Sequence, residues 1–86
     1  MWKVHMITNF YYQVIYDYLY HPDLGWYHSY GIQVVVDNSK NQTSVHTIHD
    51  VSVCKSHAEF IARILNEENV DPVHFSDVVE NHLEGI

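Results

Sequence analysis

Residues 10–37, FYYQVIYDYLYHPDLGWYHSYGIQVVVD, decide the fold because apolar and polar side chains alternate along both halves of the stretch. Alternation with a period of two is typical of a β-strand, and it predicts strands at about residues 10–20 and 26–37. Between them, Pro22 fixes φ and Gly25 permits a positive φ, which predicts a tight turn. The two strands are therefore expected to form an antiparallel hairpin.

The chain on either side of the hairpin extends this interpretation. A break in the alternation is expected near Thr8 and Asn9, because nineteen alternating residues would be too long for one strand of a small domain. A polar loop follows the hairpin, and the β-branched stretch after it predicts a third strand at about residues 43–51. Short connections favour an antiparallel meander, and Gly31 inside the second strand indicates a bulge or a close backbone approach.

The last third of the chain changes to helical periodicity. Residues 53–67 predict a first helix, begun either by Ser52 as the N-cap or, one turn later, by a capping box of Ser56 and Glu59. Asp71 followed by Pro72 predicts a second helix at about residues 72–84. The fold expected is α+β, a single domain of residues 1–86. It has a three-stranded antiparallel β-meander followed by two C-terminal α-helices packed on one sheet face.

Two helices can cover only one face of such a sheet, so we expect the other face to be open. Its apolar residues occupy odd-numbered positions, namely Tyr11, Ile15, Leu19, Tyr27 and Val35. An exposed apolar patch marks an interface, and we therefore predict self-association, most simply as a two-fold homodimer. A monomer with scattered apolar surface residues is the alternative that the sequence leaves open.

The charge balance excludes two classes of partner. Eleven Asp and Glu face four Lys and Arg, which gives a formal net charge of −7, and the four basic residues are dispersed. Binding to a phosphate backbone or to an anionic membrane needs clustered cations, so we expect neither nucleic acid nor a membrane as partner. An unidentified protein with a basic surface fits better. One cysteine, no signal peptide and no long apolar run predict a cytoplasmic protein.

The chain contains eight histidines and one cysteine, residue types that serve as metal ligands and as catalytic groups. Cys54 and His57 lie three residues apart, which suits two metal ligands or an activated thiol on one helix. No paired-cysteine motif or His-Glu-x-x-His motif supports them, and no third group orients the thiol. We expect no catalytic residue, cofactor or metal, and predict a non-catalytic protein-interaction or regulatory module. The alternative is a small-molecule or metal binder that uses the tyrosine-rich sheet or the region of Cys54 and His57.

Three segments resemble a known family. They are YGIQV at residues 30–34, DVS at residues 50–52 and PVHFSDVVENHL at residues 72–83. The family is one of small bacterial proteins of unknown function, found mainly in clostridia and their relatives. The resemblance implies a bacterial, cytoplasmic, stand-alone domain and no particular reaction. His74 and Asp77 lie in the most specific segment and are candidates for a shared surface role; the alternative is a structural role for His74 at the start of the last helix.

Overall fold

The computed structural model describes residues 9–37 and 43–84. The elements are strands β1 (Asn9–His21), β2 (Gly25–Asp37) and β3 (Thr43–Ser52), helix α1 (Lys55–Glu67), a 3₁₀ helix (Pro72–His74) and helix α2 (Phe75–Glu84). The strands form one antiparallel sheet in the order β1-β2-β3. The predicted α+β layout of three strands followed by two helices is confirmed.

The helix starts differ from those predicted. The N-cap of α1 is Cys54, and no side-chain hydrogen bond caps the helix. Ser52 does not serve as N-cap because β3 continues through it, and its Oγ instead accepts the N–H of Cys54 at 3.0 Å. Asp71 does cap the next element, since its side chain accepts the N–H of Val73, but that element is a 3₁₀ turn that precedes α2. The predicted break near Thr8 and most of the predicted polar loop lie outside the described residues.

The β1–β2 hairpin is regular along its whole length. Its register is unbroken from Asn9 opposite Asp37 to His21 opposite Gly25, where φ is +76°. The β2–β3 register, in contrast, shifts between Tyr30 and Ile32. A Cβ added to Gly31 would lie 2.6 Å from the carbonyl oxygen of Ile48. The interpretation of Gly31 as a point of close backbone approach is therefore confirmed.

The hydrophobic core lies between one sheet face and the two helices. Its most buried members are Tyr12, Ile32, Val34, Ile61, Leu65, Phe75 and Val79. Tyr12 is central, because its ring contacts Phe75 edge-on at 5.0 Å and its hydroxyl donates to the carbonyl of Val70 at 2.7 Å. Burial, with a smaller contribution from the charge of Asp71, raises the pKa of Tyr12 to about 12.

Helix α1 lies along part of the β1 edge. The side-chain amide of Asn66 accepts the N–H of Tyr12 at 2.8 Å and donates to its carbonyl at 2.9 Å. The same two bonds would come from a neighbouring strand, so Asn66 replaces a strand at this point. Lys55, at the other end of α1, lines a cleft with Tyr16 and Tyr30. The part of the sheet that α1 covers therefore ends near Tyr16.

The strands are longer than the helices that cover them. β1 and α1 have thirteen residues each. At about 3.3 Å per residue a strand of that length spans about 43 Å, whereas at 1.5 Å per residue the helix spans about 20 Å. The part of the hairpin beyond the start of α1, residues 16–30, is called the distal hairpin below. No α1 residue can cover its outer end.

Candidate functional site

The distal hairpin carries aromatic rings on the same sheet face that packs against the helices in the rest of the domain. This aromatic face consists of Tyr16, Tyr18, Tyr20, Trp26, His28 and Tyr30, paired across the strands as Tyr16↔Tyr30, Tyr18↔His28 and Tyr20↔Trp26. The exposed fractions are 58% for Tyr16, 56% for Tyr18, 60% for Tyr20 and 62% for Trp26. The face is thus a continuation of the core face into solvent.

The rings of the aromatic face hold one another in place. Tyr18 stacks between Trp26 and His28, with ring centroids 5.1 and 4.8 Å apart and interplanar angles of 23° and 27°. Tyr16 stacks on His28 at 5.4 Å, and a hydrogen bond joins its hydroxyl to Nδ1 of His28. Tyr20 contacts Trp26 at 5.4 Å. Mutual stacking limits the rotamers of these side chains, so a binding partner would meet a preorganised surface.

A cleft marks the border between the aromatic face and α1. It has a volume of about 310 Å³, and its lining includes Tyr16 and Tyr30 on one side and Lys55 and Glu59 on the other. Lys55 stands in the first helical turn, which holds no acidic residue among those described, and the positive end of the helix dipole lies there. The start of α1 therefore offers Lys55 and the positive end of the helix dipole, with Glu59 one turn further along. Asp23, in contrast, makes the turn of the distal hairpin acidic.

A polar network occupies the opposite face at the register shift of β3. This bulge network consists of Asp17, Tyr27, Ser29, His49 and Asp50 and links all three strands. The Asp17 carboxylate, only 8% exposed, accepts the N–H of Asp50 at 3.2 Å and lies 3.1 Å from Nδ1 of His49. The Asp50 carboxylate accepts the hydroxyls of Ser29 and Tyr27, each at 2.6 Å.

Hydrogen bonding shifts the pKa values of two members of the bulge network, Asp50 and Tyr27. The bonds from Ser29 and Tyr27 lower the pKa of Asp50, and the bond to Asp50 raises the pKa of Tyr27. Asp50 holds φ at 56°, a left-handed conformation that Asp tolerates better than most residues. The fully buried Ser29 donates to Asp50 while His49 faces Asp17, so no serine–histidine pair of the kind used in nucleophilic catalysis forms here. The network fastens β3 to the hairpin.

The five residues predicted as an interface all lie on this opposite face. Tyr11 stands across from Val35 and Leu19 across from Tyr27, while Ile15 is opposite Gly31. Polar pairs separate these three positions. The pair Gln13↔Gln33 lies between Tyr11 and Ile15, and the pair Asp17↔Ser29 of the bulge network lies between Ile15 and Leu19. The Tyr27 hydroxyl is also committed to Asp50. The structure therefore shows three small apolar positions rather than one patch, and their role as an interface stays a prediction.

His74 and Asp77 are both exposed. The backbone N–H of His74 donates to the carbonyl of Asp71 at 2.8 Å within the 3₁₀ helix, and Asp77 lies in the first turn of α2. Among the described residues, no hydrogen bond joins the two side chains. Their shared surface role stays a prediction.

At the start of α1, the side chains of Cys54 and His57 hydrogen-bond to different serines. The Cys54 thiol is exposed and lies 3.2 Å from the Ser56 hydroxyl, whereas Nδ1 of His57 lies 3.1 Å from the Ser52 hydroxyl. Hydrogen bonding to Ser56 and then to the backbone of His57 lowers the pKa of Cys54. Within residues 9–37 and 43–84, no three His, Cys, Asp or Glu residues lie close enough to hold a metal ion.

The sequence names the tyrosine-rich sheet as an alternative binding surface, but it does not show that the even-numbered rings are exposed. Tyr16, Tyr18 and Tyr20 alternate on the face that the helices are expected to cover. What was needed was the comparison of lengths: a thirteen-residue helix cannot cover a thirteen-residue strand.

Comparison with known proteins gives a family. No curated protein and no solved structure matched the chain. In the part of the chain that the structure describes, no helix is long and apolar enough to cross a membrane. A family model matches residues 3–85, a range that includes all three segments that carried the resemblance, while an origin in clostridia stays a prediction. The chain therefore belongs to DUF6514, a family of unknown function.

Proposed function

We propose that this protein is a non-catalytic protein-interaction module that binds through its aromatic face. The observation that carries the proposal is the set of four large rings, each more than half exposed, on one side of a regular hairpin. Exposed apolar surface of this kind is unfavourable in water unless a partner covers it. A cytoplasmic setting fits a chain with one cysteine.

The chemistry of the rings favours a protein partner. Tyr and Trp are enriched at protein interfaces because each offers a large contact area while losing the freedom of only two side-chain torsions. Each of the four exposed rings presents roughly 100–150 Å² to solvent, judged from their exposed fractions and the area that a whole aromatic side chain buries. The total, about 500 Å², lies within the range of functional apolar patches on small proteins.

The same face is poorly suited to nucleic acid. Aromatic platforms that stack bases work beside cations that hold the phosphates. Residues 16–30 contain no Lys or Arg and include Asp17 and Asp23. Asp23, in the turn next to the rings, would repel a phosphate backbone, and Lys55 at the other border does not make the cluster of cations that such a backbone needs.

A small-molecule binder is the second candidate function, and the cleft beside Lys55 favours it. Its volume of about 310 Å³ is at the lower limit of ligand pockets, and Tyr16, Tyr30 and Glu59 supply aromatic and polar groups. Binding of a ligand or metal by Cys54 and His57 has less support, because the two side chains hydrogen-bond to different serines.

Photocross-linking in cells tests the proposed function. A photoreactive phenylalanine analogue replaces Tyr20 in one variant and Tyr11 in the control. Both tyrosines lie on β1, on opposite sheet faces, with exposed fractions of 60% and 52%. We expect covalent adducts with protein from position 20 and few from position 11. Adducts from position 11 alone, or from neither position, would contradict the proposal.

A further inference from the structure

We infer that the partner of the aromatic face is a second copy of this chain, whose own distal hairpin lies face to face on it about a two-fold axis. The inference rests on the proposed function and names the occupant of the same surface. Three observations carry it: the length left uncovered, the area of the rings, and the charges at the two ends of the aromatic face.

The uncovered length matches between two copies. From Tyr16 to the end of β1 at His21 the strand runs for about 20 Å. A facing sheet packs about 10 Å away, so the second hairpin would lie in the layer that α1 occupies further down. The two hairpins then cover each other over equal lengths. A two-fold axis near Tyr18 buries the aromatic faces of both copies in one contact, so neither face stays free to bind a third copy.

The area is close to what a stable dimer needs. The four exposed rings contribute about 500 Å² in each copy, so two copies bury about 1,000 Å² from these rings alone. A specific interface is expected to exceed roughly 1,000 Å². His28 and Tyr30 add to the total, as does Leu24, which is 69% exposed at the turn.

The charges at the ends are complementary. Because α1 begins where the aromatic face begins, the turn of each hairpin reaches the start of α1 in the other copy. Asp23 in the turn is exposed, and its carboxylate would meet Lys55 and an N-terminus that no described side chain caps. The two-fold axis makes this contact twice.

The opposite face is a worse place for a second copy. Docking there would take the exposed, ionised carboxylate of Asp50 out of water. Removing a charge from water is costly unless a new partner compensates it. The aromatic face consists of Tyr, Trp and His side chains, and the two charges that docking would cover at its ends, Asp23 and Lys55, would compensate each other.

Sedimentation equilibrium of the full chain at pH 7.5, over a concentration series, is the test. The parent protein is expected to dimerise. Tyr18→Ser is expected to raise the dissociation constant at least tenfold, whereas the matched control Tyr11→Ser, on the same strand with a similar exposed fraction, changes it less than twofold. Far-UV circular dichroism checks that both variants fold. The reverse pattern would overturn the face-to-face arrangement.

A charge exchange tests the contact between turn and helix independently. Asp23→Lys and Lys55→Asp are each expected to weaken the dimer at least threefold, and the double variant to regain most of the loss. Failure of the double variant to regain it would overturn this contact. A protein that stays monomeric at every concentration overturns the whole inference. If position 20 then cross-links to a different protein, the proposed function stands alone, and if it cross-links to nothing, both fail.

Discussion

Replacing Gly31 by alanine should destabilise the fold through a single added carbon. The new Cβ would lie 2.6 Å from the carbonyl oxygen of Ile48, 3.0 Å from Oδ2 of Asp17 and 3.2 Å from Cα of His49. Two of these three atoms belong to the backbone of β3, which cannot turn aside as a side chain can. β3 would have to move away from β2, and the bond from the Asp50 N–H to Asp17 would lengthen with it.

The size of the effect follows from two opposing contributions. Overpacking a tight site costs typically 1–3 kcal/mol, and the contact with Ile48 belongs at the upper end because the carbon and oxygen must separate by more than about half an ångström. Removing a strand glycine returns about 0.5–1 kcal/mol, because the unfolded chain loses conformational freedom. The free energy of unfolding should therefore fall by about 2 kcal/mol. That is a large part of the few kcal/mol available to a domain of this size.

Urea unfolding followed by circular dichroism measures this loss. With a slope of about 1 kcal/mol per M, the midpoint should fall by about 2 M. Gly25→Ala is the control, since nothing lies within 4 Å of its added Cβ and only its φ of +76° is unfavourable, at about 1 kcal/mol. If Gly31→Ala lost no more stability than Gly25→Ala, the close approach of β3 would not limit this position.

Three further variants test other parts of the structure. Asp50→Asn should weaken the dependence of stability on pH. Hydrogen bonds from Ser29 and Tyr27 lower the pKa of Asp50 in the folded protein, so its contribution to stability is complete above the ordinary carboxyl pKa and is lost as the pH falls from there through the lowered pKa. The parent should therefore lose more stability than the variant between pH 6 and pH 3 in urea unfolding. Asn66→Ala removes both bonds to the Tyr12 backbone and should lower the free energy of unfolding by about 1–2 kcal/mol in the same assay, with faster hydrogen exchange at the Tyr12 N–H. Tyr12→Phe leaves the Val70 carbonyl without its donor, at a similar loss, and should remove the tyrosine that titrates at about pH 12 from an alkaline absorbance titration.

The strands could be predicted from the sequence because their signal repeats at every second residue. Both hairpin strands show it over more than ten positions, and the turn between them holds Pro22 and Gly25. The helix starts could not be predicted to the residue, because capping depends on where the preceding element ends. Ser52 has the chemistry of an N-cap, yet it is the last residue of β3 and bonds the Cys54 N–H from there.

The bulge network could be predicted only in part. Asp17 and Asp50 are 33 residues apart, and they meet because the β2–β3 register shifts beside Gly31. The glycine indicated a close approach at that point, but neither alternation nor spacing shows which residues of β3 come near. A register is a property of the assembled sheet, since it depends on how both strands bury their apolar faces.

The exposure of the aromatic face also depends on how the elements assemble. The end of the bulge network explains why this segment of the hairpin holds so many aromatic rings. β3 ends at Ser52, opposite Tyr30, and the most distal bond from β3 to the hairpin is the one between Asp50 and Tyr27. Beyond it the hairpin is two-stranded, and an isolated two-stranded hairpin is marginally stable in water. Cross-strand aromatic pairs contribute roughly 0.2–1 kcal/mol each and compensate in part for the missing third strand. The rings that order the hairpin also leave it with an apolar face, so the stability of this segment and its capacity to bind a second surface have one cause.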